Sequence, residues 1–182
     1  MYPDSAEIHG EVYDGIYKID TSLDTARLCI AISKDKSIDD TERPLAIICL
    51  LFDFIPEYDT ELFMIKAIKY LQLGKEKVEE STEKPDMDIN FDWGYIVSSF
   101  MSEYGIDLTT TDIHFWKFMD LLQGLSENCA LSRVRKIRNY KLSEIKDSKE
   151  RTRIAEAQEA VKLPETLTAE EKQAIDEFEA LF

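Results

Sequence analysis

The sequence predicts a mainly α-helical protein, a bundle of about six to eight helices with a small N-terminal β-hairpin. Three observations favour this fold class. Apolar residues recur at helical spacing along most of the chain, single glycines and prolines separate the periodic segments, and strand-like alternation is confined to the first twenty residues. With 182 residues, 44% of them hydrophobic, the chain is long enough to bury a core.

The hairpin is expected within residues 7–19, where β-branched or aromatic residues alternate with polar ones. This stretch contains two turn signals, His9-Gly10 and Asp14-Gly15, and either could close the hairpin. An isolated two-stranded hairpin is only marginally stable in water. We therefore expect it to pack against the helices or to pair with another chain.

Three helices are expected between the hairpin and residue 73. Capping residues precede them, Pro56 follows the second, and Gly74 ends the third. The second contains the apolar run 45–52, which predicts a deeply buried helix. The expected bounds are Thr21 or Ser22 to Ser33, Asp39–Asp40 to Phe52, and Asp59–Thr60 to Gly74.

The second half of the chain predicts five further helices. The first is the clearest, because its apolar residues from Trp93 to Tyr104 fall at offsets 0, 3, 4, 7, 8 and 11, and Gly105 ends it. The last is acidic and opens with a capping-box match at residues 168–171. The expected bounds are 93–104, 113–123, from 126 through 137, from 148 to 163, and from 168 onward.

Composition divides the chain into four segments. Residues 1–73 hold the hairpin and the first helices, and residues 91–163 form the C-terminal helical half. Between them, residues 74–90 are polar and charged and contain a proline, which is typical of a linker. Residues 164–182 form the acidic terminal helix.

The net charge limits the class of partner. The chain has 37 acidic and 22 basic residues, a formal charge of −15. Such a charge disfavours binding to nucleic acid or to an anionic membrane over the whole surface. The first ten residues lack the apolar run of a secretory leader, and the longest apolar run is too short to span a membrane. We expect a soluble intracellular protein.

The sequence contains no motif that indicates catalysis or a bound cofactor. No glycine-rich phosphate loop is present, and neither His9 nor His114 has a metal-ligating neighbour at a suitable spacing. The cysteines Cys29, Cys49 and Cys129 lie in apolar contexts typical of buried small side chains. We expect a protein that is not an enzyme and has no metal and no cofactor.

Two groups of residues are candidates for binding another protein. The segment 131–162 holds ten basic and five acidic residues, a net charge of +5, which leaves −20 on the rest of the chain. It could face an acidic protein surface or nucleic acid, or form a solvated helix face. The aromatic run at 115–118 predicts core packing, with part of it free for a partner. The candidates are Trp93, Phe115, Trp116, Lys117, Arg133, Arg135, Lys136 and Arg138.

Residues 91–125 resemble the bacteriophage gene-product-fifteen family. That family's pattern is a helix that starts with Phe-Asp and ends in a YGIDL run, followed by an HWWKF run and a Leu-Leu-X-Gly-Leu run. This sequence differs at Phe115, where the family usually has tryptophan. The resemblance covers roughly residues 7–162, and Ile137-Arg138 is similar to the family's basic tail. The matching residues are Phe91-Asp92, 99–108 (SFMSEYGIDL), 114–118 (HFWKF) and 121–125 (LLQGL).

The resemblance implies a tail-region protein of long-tailed phages and prophages of Gram-positive hosts. It suggests a tail assembly chaperone that acts in the host bacterial cytoplasm. The implied partners are the tape-measure protein, other tail proteins and further copies of the chain. Two alternatives stay open: a structural component of the virion tail or neck, and a nucleic-acid-binding morphogenesis factor that uses the segment 131–162.

Overall fold

A computed structural model describes residues 2–75 and 85–164 of the chain. These residues form one antiparallel hairpin and seven α-helices, which confirms the predicted fold class. The elements are β1 (Ser5–His9), β2 (Asp14–Lys18), α1 (Leu23–Lys34), α2 (Glu42–Phe52), α3 (Thr60–Leu71), α4 (Trp93–Tyr104), α5 (Phe115–Gln123), α6 (Ala130–Arg138), a short 3₁₀ helix (Leu142–Glu144) and α7 (Ser148–Ala160).

The described residues divide into two compact units. Unit 1 comprises residues 2–75 and 114–117, and unit 2 comprises residues 85–113 and 118–164, so that the division falls within α5. Most of the predicted linker at 74–90 and nearly all of the predicted terminal helix at 164–182 lie outside the described residues.

In the hairpin, β1 and β2 pair from Ser5 with Lys18 to His9 with Asp14. The connection is the four-residue loop 10–13, in which the Gly10 N–H donates to the Tyr13 carbonyl at 2.8 Å. Asp14-Gly15, the stronger turn signal in the sequence, instead begins β2. The hairpin packs on the rest of unit 1 through both strands, because β1 contacts α3 and Tyr17 on β2 packs against Phe63.

Unit 1 is built by packing α1 on α2 and α2 on α3. Ser22 is the N-cap of α1, and its hydroxyl accepts from the Thr25 N–H at 3.3 Å. The centre of the aromatic core is Phe63 on α3, which is fully buried. Four rings surround it with centroids 5.1–5.5 Å away: Tyr13, Tyr17, Phe52 and Phe54.

Unit 2 is built by packing α4 on α6 and α6 on α7. The buried Ser99 joins the first pair: its hydroxyl donates to the Tyr95 carbonyl at 2.7 Å and accepts from the Leu131 N–H at 3.0 Å. Phe100 stacks on Phe118 with ring centroids 5.2 Å apart. These contacts bury α4 along Ile96, Ser99 and Phe100.

Three local predictions need correction. Cys49 is exposed, whereas Cys29 and Cys129 are buried as expected. The reason is that α2 buries only one face, at Ile47, Ile48, Leu51 and Phe52, and helical geometry turns position 49 away from that face. Helix α6 begins at Ala130 rather than Ser126, because Cys129 is its N-cap. Met101, part of the predicted α4 stripe, is 47% exposed.

Candidate protein-binding site

The structure places the eight predicted binding residues in both units. Phe115, Trp116 and Lys117 belong to unit 1, and the other five belong to unit 2. Each group contains exposed side chains beside side chains that are used inside the fold. The two kinds cannot be separated by sequence pattern, because both occupy the same helices.

In unit 1, Trp116 lines a cleft of about 220 Å³. Its indole Nε1–H donates to the Tyr70 carbonyl at 3.0 Å, and the two rings stack with centroids 5.9 Å apart. A Cβ at Gly74 would lie 3.1 Å from the indole, and Gly74 has a positive φ of 75°, so this position favours glycine for two reasons. The cleft also carries the basic residues Lys66 and Lys69.

The residues on either side of Trp116 differ in their environment. Phe115 is only 1% exposed and belongs to the core, so it presents no surface for a partner. Lys117 is exposed. His114, which the sequence gave no defined role, has a specific one in the fold: its Nδ1 accepts the Trp116 N–H at 3.1 Å. Its Nε2 therefore carries the proton and donates to the Pro3 carbonyl at 3.1 Å.

The environment of the Tyr70 hydroxyl predicts how its removal changes the stability of the protein. Its hydroxyl oxygen is buried without a hydrogen-bond partner among the described residues, and burial raises its pKa. Because the orphaned hydroxyl is costly, we expect Tyr70→Phe to increase the free energy of unfolding by about 1 kcal/mol. The control is Tyr104→Phe, which removes a hydroxyl that donates to the Leu121 carbonyl at 2.8 Å and should cost about 1 kcal/mol. Urea unfolding measures the free energy of unfolding of both variants. An equal loss of stability in the two would contradict the assignment of the Tyr70 hydroxyl as unpaired.

In unit 2, Arg138 lies inside the fold rather than on a docking surface. Its side chain is 8% exposed, and it forms a bidentate ion pair with Asp92, which is fully buried. Nη1 and Nη2 each donate to one carboxylate oxygen at 2.7 Å. Nη1 also donates to the Asp86 carbonyl at 2.9 Å, and Nε donates to the Val161 carbonyl at 2.6 Å. One guanidinium thus ties the end of α6 to the start of α4 and to the residue after α7.

The other basic candidates on α6 lie at the surface. Arg135 pairs with Asp86 at 3.0 Å while its side chain is still 46% exposed. Arg133 and Lys136 are exposed, and neither forms an ion pair within the described ranges 2–75 and 85–164. Trp93, at the start of α4, is half-buried and packs against Phe118. The available basic surface of α6 therefore consists of Arg133, Lys136 and part of Arg135.

A carboxylate that sequence reasoning missed shapes the surface of unit 1. Asp59 Oδ2 accepts the backbone N–H groups of Val12 and Tyr13, both at 3.0 Å. It also lies where a Cβ at Gly10 would be, only 2.3 Å away, so a side chain there would displace it. These contacts hold the hairpin loop against the loop 53–59. No local signal could have shown them, because the partners are 46 and 47 residues apart.

The Asp59 contact predicts a pH-dependent hairpin loop. Hydrogen bonds from the Tyr13 and Val12 N–H groups lower the pKa of the Asp59 carboxyl below 3.8. A lowered pKa means that the contact stabilises the fold above about pH 3.8, and that this stabilisation is lost as the pH falls through the folded-state pKa. In an NMR titration the Val12 and Tyr13 amide signals should move with a midpoint below 3.8. Asp59→Asn should abolish that midpoint and Glu57→Gln should not; an unchanged titration in Asp59→Asn would contradict the assignment.

The part of the chain that the structure describes contains neither a membrane-spanning helix nor a metal site. No helix within residues 2–75 and 85–164 is both long and apolar enough to cross a bilayer. In the same ranges no three His, Cys, Asp or Glu side chains are grouped so that they could hold a metal ion. Of the eight predicted binding residues, the exposed ones are basic: Lys117, Arg133, Arg135 and Lys136.

The described residues form a mainly helical protein with a small hairpin, and most of its candidate site residues are exposed basic or half-buried aromatic side chains. The family model "Bacteriophage Gp15 protein" matches residues 3–163. The chain belongs to this family, and it is a phage structural or morphogenesis protein. The family is not known as enzymatic. No curated protein and no solved structure matches the chain.

Proposed function

We propose that this chain is a non-enzymatic tail morphogenesis protein that works as a tail assembly chaperone. In this role it binds the tape-measure protein in the host bacterial cytoplasm, meets other tail proteins, and self-associates. Membership of the Bacteriophage Gp15 protein family supports the broad class, phage structure or morphogenesis. The chaperone role depends on the surface of unit 1.

The observation that carries the proposal is the number of exposed apolar side chains in unit 1. Of the twelve large hydrophobic residues that are exposed within the described residues, eight belong to this unit. Ile16 on β2 is 76% exposed, and Ile65 and Ile68 on α3 are 52% and 40% exposed. Because Ile65 and Ile68 are three positions apart on a helix, they share one side of it. Exposed apolar side chains that neighbour each other, as these two do, are typical of a protein-binding surface.

This surface suits a long, apolar, helical client such as a tape-measure protein. Such a client aggregates unless its apolar side chains are covered, and covering them is favoured by the apolar area removed from water. The chaperone's formal charge of −15 would keep the resulting complex soluble by mutual repulsion. A catalytic group is not needed for this function.

Co-expression with the phage's own tape-measure protein tests client binding. We expect the soluble fraction of the tape-measure protein to rise several-fold with the wild-type chain, and to fall with the variant Ile65→Ser, Ile68→Ser. The matched control is Phe91→Ser, Met101→Ser, which changes two side chains of similar exposure, 51% and 47%, in unit 2. An equal loss in both variants, or no effect of the wild-type chain, would contradict the proposal.

Quantitative mass spectrometry and a DNA-retention assay separate the chaperone from its two alternatives. A chaperone should be abundant in the lysate of an infected or induced culture and missing from the purified virions. A fixed copy number per virion would instead show a structural component of the tail or neck. Salt-sensitive retention of the purified protein on DNA would favour the nucleic-acid-binding alternative.

A further inference from the structure

Three of the eight exposed apolar residues of unit 1 lie in the loop 53–59 and the hairpin loop, and not on α3, where the client-binding test changes Ile65 and Ile68. The Asp59 carboxylate holds the two loops in contact, through its bonds to the Val12 and Tyr13 N–H groups. Around that contact, three apolar side chains are more than half exposed: Val12 at 59%, Ile55 at 55% and Tyr58 at 59%.

Acidic side chains accompany these three apolar residues. Glu11, Asp53 and Glu57 are exposed, and none of them forms an ion pair within the described part of the chain. The stretches 10–14 and 53–61 together contain six acidic residues and no basic residue. We call the group Val12, Ile55, Tyr58, Glu11, Asp53 and Glu57 the acidic patch.

The backbone of the loop 53–59 is fixed at both ends. Asp53 ends α2 in a left-handed conformation, with φ at 60°, and its N–H donates to the Cys49 carbonyl at 2.9 Å. Asp59, the N-cap of α3, also has a positive φ, and Pro56 between them is buried. A loop held in this way loses little conformational freedom when a partner binds, which favours association.

A complementary surface is present on the same chain, in unit 2. Helices α6 and α7 pack together, and each exposes two basic side chains on one side, three positions apart on α6 and four positions apart on α7. None of these four forms an ion pair within residues 2–75 and 85–164. We call them the basic face: Arg133, Lys136, Lys149 and Arg153.

We propose that the acidic patch of one copy binds the basic face of a second copy, so that copies associate head to tail. The charges are opposite, and the apolar side chains of the patch add area that is removed from water. Because the two surfaces differ, a pair of bound copies still presents one free surface of each kind, and association can continue beyond a dimer. This inference rests on the proposed function, because it names the surfaces through which the proposed chaperone self-associates.

The test uses the purified full-length chain without a client, followed by analytical ultracentrifugation. At 50 mM NaCl the wild-type chain should form oligomers whose size grows with concentration, and at 500 mM NaCl these should dissociate, because exposed charges are screened. Two variants each reverse one surface: Glu11→Lys, Glu57→Lys on the patch and Arg133→Glu, Lys136→Glu on the basic face. Each alone should be a monomer.

Mixing the two variants gives the decisive result. Each variant retains one intact surface that is complementary to the intact surface of the other, so the mixture should associate although neither variant does so alone. The control, Asp112→Lys, Glu127→Lys, makes the same change in net charge as the patch variant, at exposed positions outside both surfaces, and should associate like the wild type. A monomeric wild type at low salt, a mixture that stays monomeric, or a control that loses association to the same extent would each overturn the proposal.

The outcome is independent of client binding. Failure of client protection by a chain that still associates head to tail would reject the chaperone role alone. Failure of association by a chain that still protects its client would reject this inference alone.

Discussion

Arg138→Met is expected to lower the free energy of unfolding by about 3–5 kcal/mol, because it leaves the fully buried Asp92 carboxylate without its cation. The guanidinium also donates to the carbonyls of Asp86 and Val161. The substitution therefore removes a hydrogen-bond donor shared by the segment before α4, the start of α4 and the residue after α7. Urea unfolding followed by circular dichroism gives the measurement. The exposed Arg133 on the same helix provides the control: Arg133→Met should change stability by no more than about 0.5 kcal/mol.

A double-mutant cycle shows whether the ion pair itself is responsible. Asp92→Leu alone should also be strongly destabilising, because it leaves the buried Arg138 unpaired. With both changes, the loss should be smaller than the sum of the single losses by about 2–3 kcal/mol. Additive losses would show that the two residues act separately, contrary to the bidentate geometry.

Phe63→Ala is expected to cost about 3–5 kcal/mol, since it opens a cavity at the centre of the unit 1 aromatic core. The change removes a fully buried ring that contacts four other rings, two of which, Tyr13 and Tyr17, belong to the hairpin region. A two-stranded hairpin has little stability of its own. Hydrogen exchange should therefore show a larger loss of protection in β1 and β2 than in α4 and α6.

The matched control for this change is Phe91→Ala. Phe91 is 51% exposed, so the same substitution removes little buried area and should cost no more than about 1 kcal/mol. If both variants lost similar stability, or if the hairpin kept its protection in Phe63→Ala, the aromatic cluster would not be what holds the hairpin.

The fold was predictable where local chemistry decides the structure. The apolar stripe from Trp93 and the glycine after Tyr104 predicted α4 with the bounds that the structure shows, and Gly105 does adopt a positive φ. Where two local signals competed, the sequence did not show which of them the fold uses. The hairpin closes through the loop 10–13, although Asp14-Gly15 is the stronger turn signal, because Asp59 on a distant segment stabilises that loop.

The candidate site was predictable only as a set of residue types. Arg133, Arg135, Lys136 and Arg138 form one basic run in sequence, and helical spacing alone gives no reason to separate Arg138 from the rest. The structure separates them by burial: Arg138 binds Asp92, 46 residues away, while Arg133 stays in solvent. The acidic patch was likewise not predictable from the sequence, because its two loops lie more than 40 residues apart.

The sequence by itself determined that this protein is helical with one hairpin, strongly acidic with a basic segment, and related to a phage family through residues 91–125. Those properties follow from composition, periodicity and short motifs, which act over a few residues. Only the tertiary structure decided which charged side chains are buried and which exposed apolar residues lie together. That decision depends on contacts between segments far apart in the chain, because burial of a charge is set by the partners that packing brings to it.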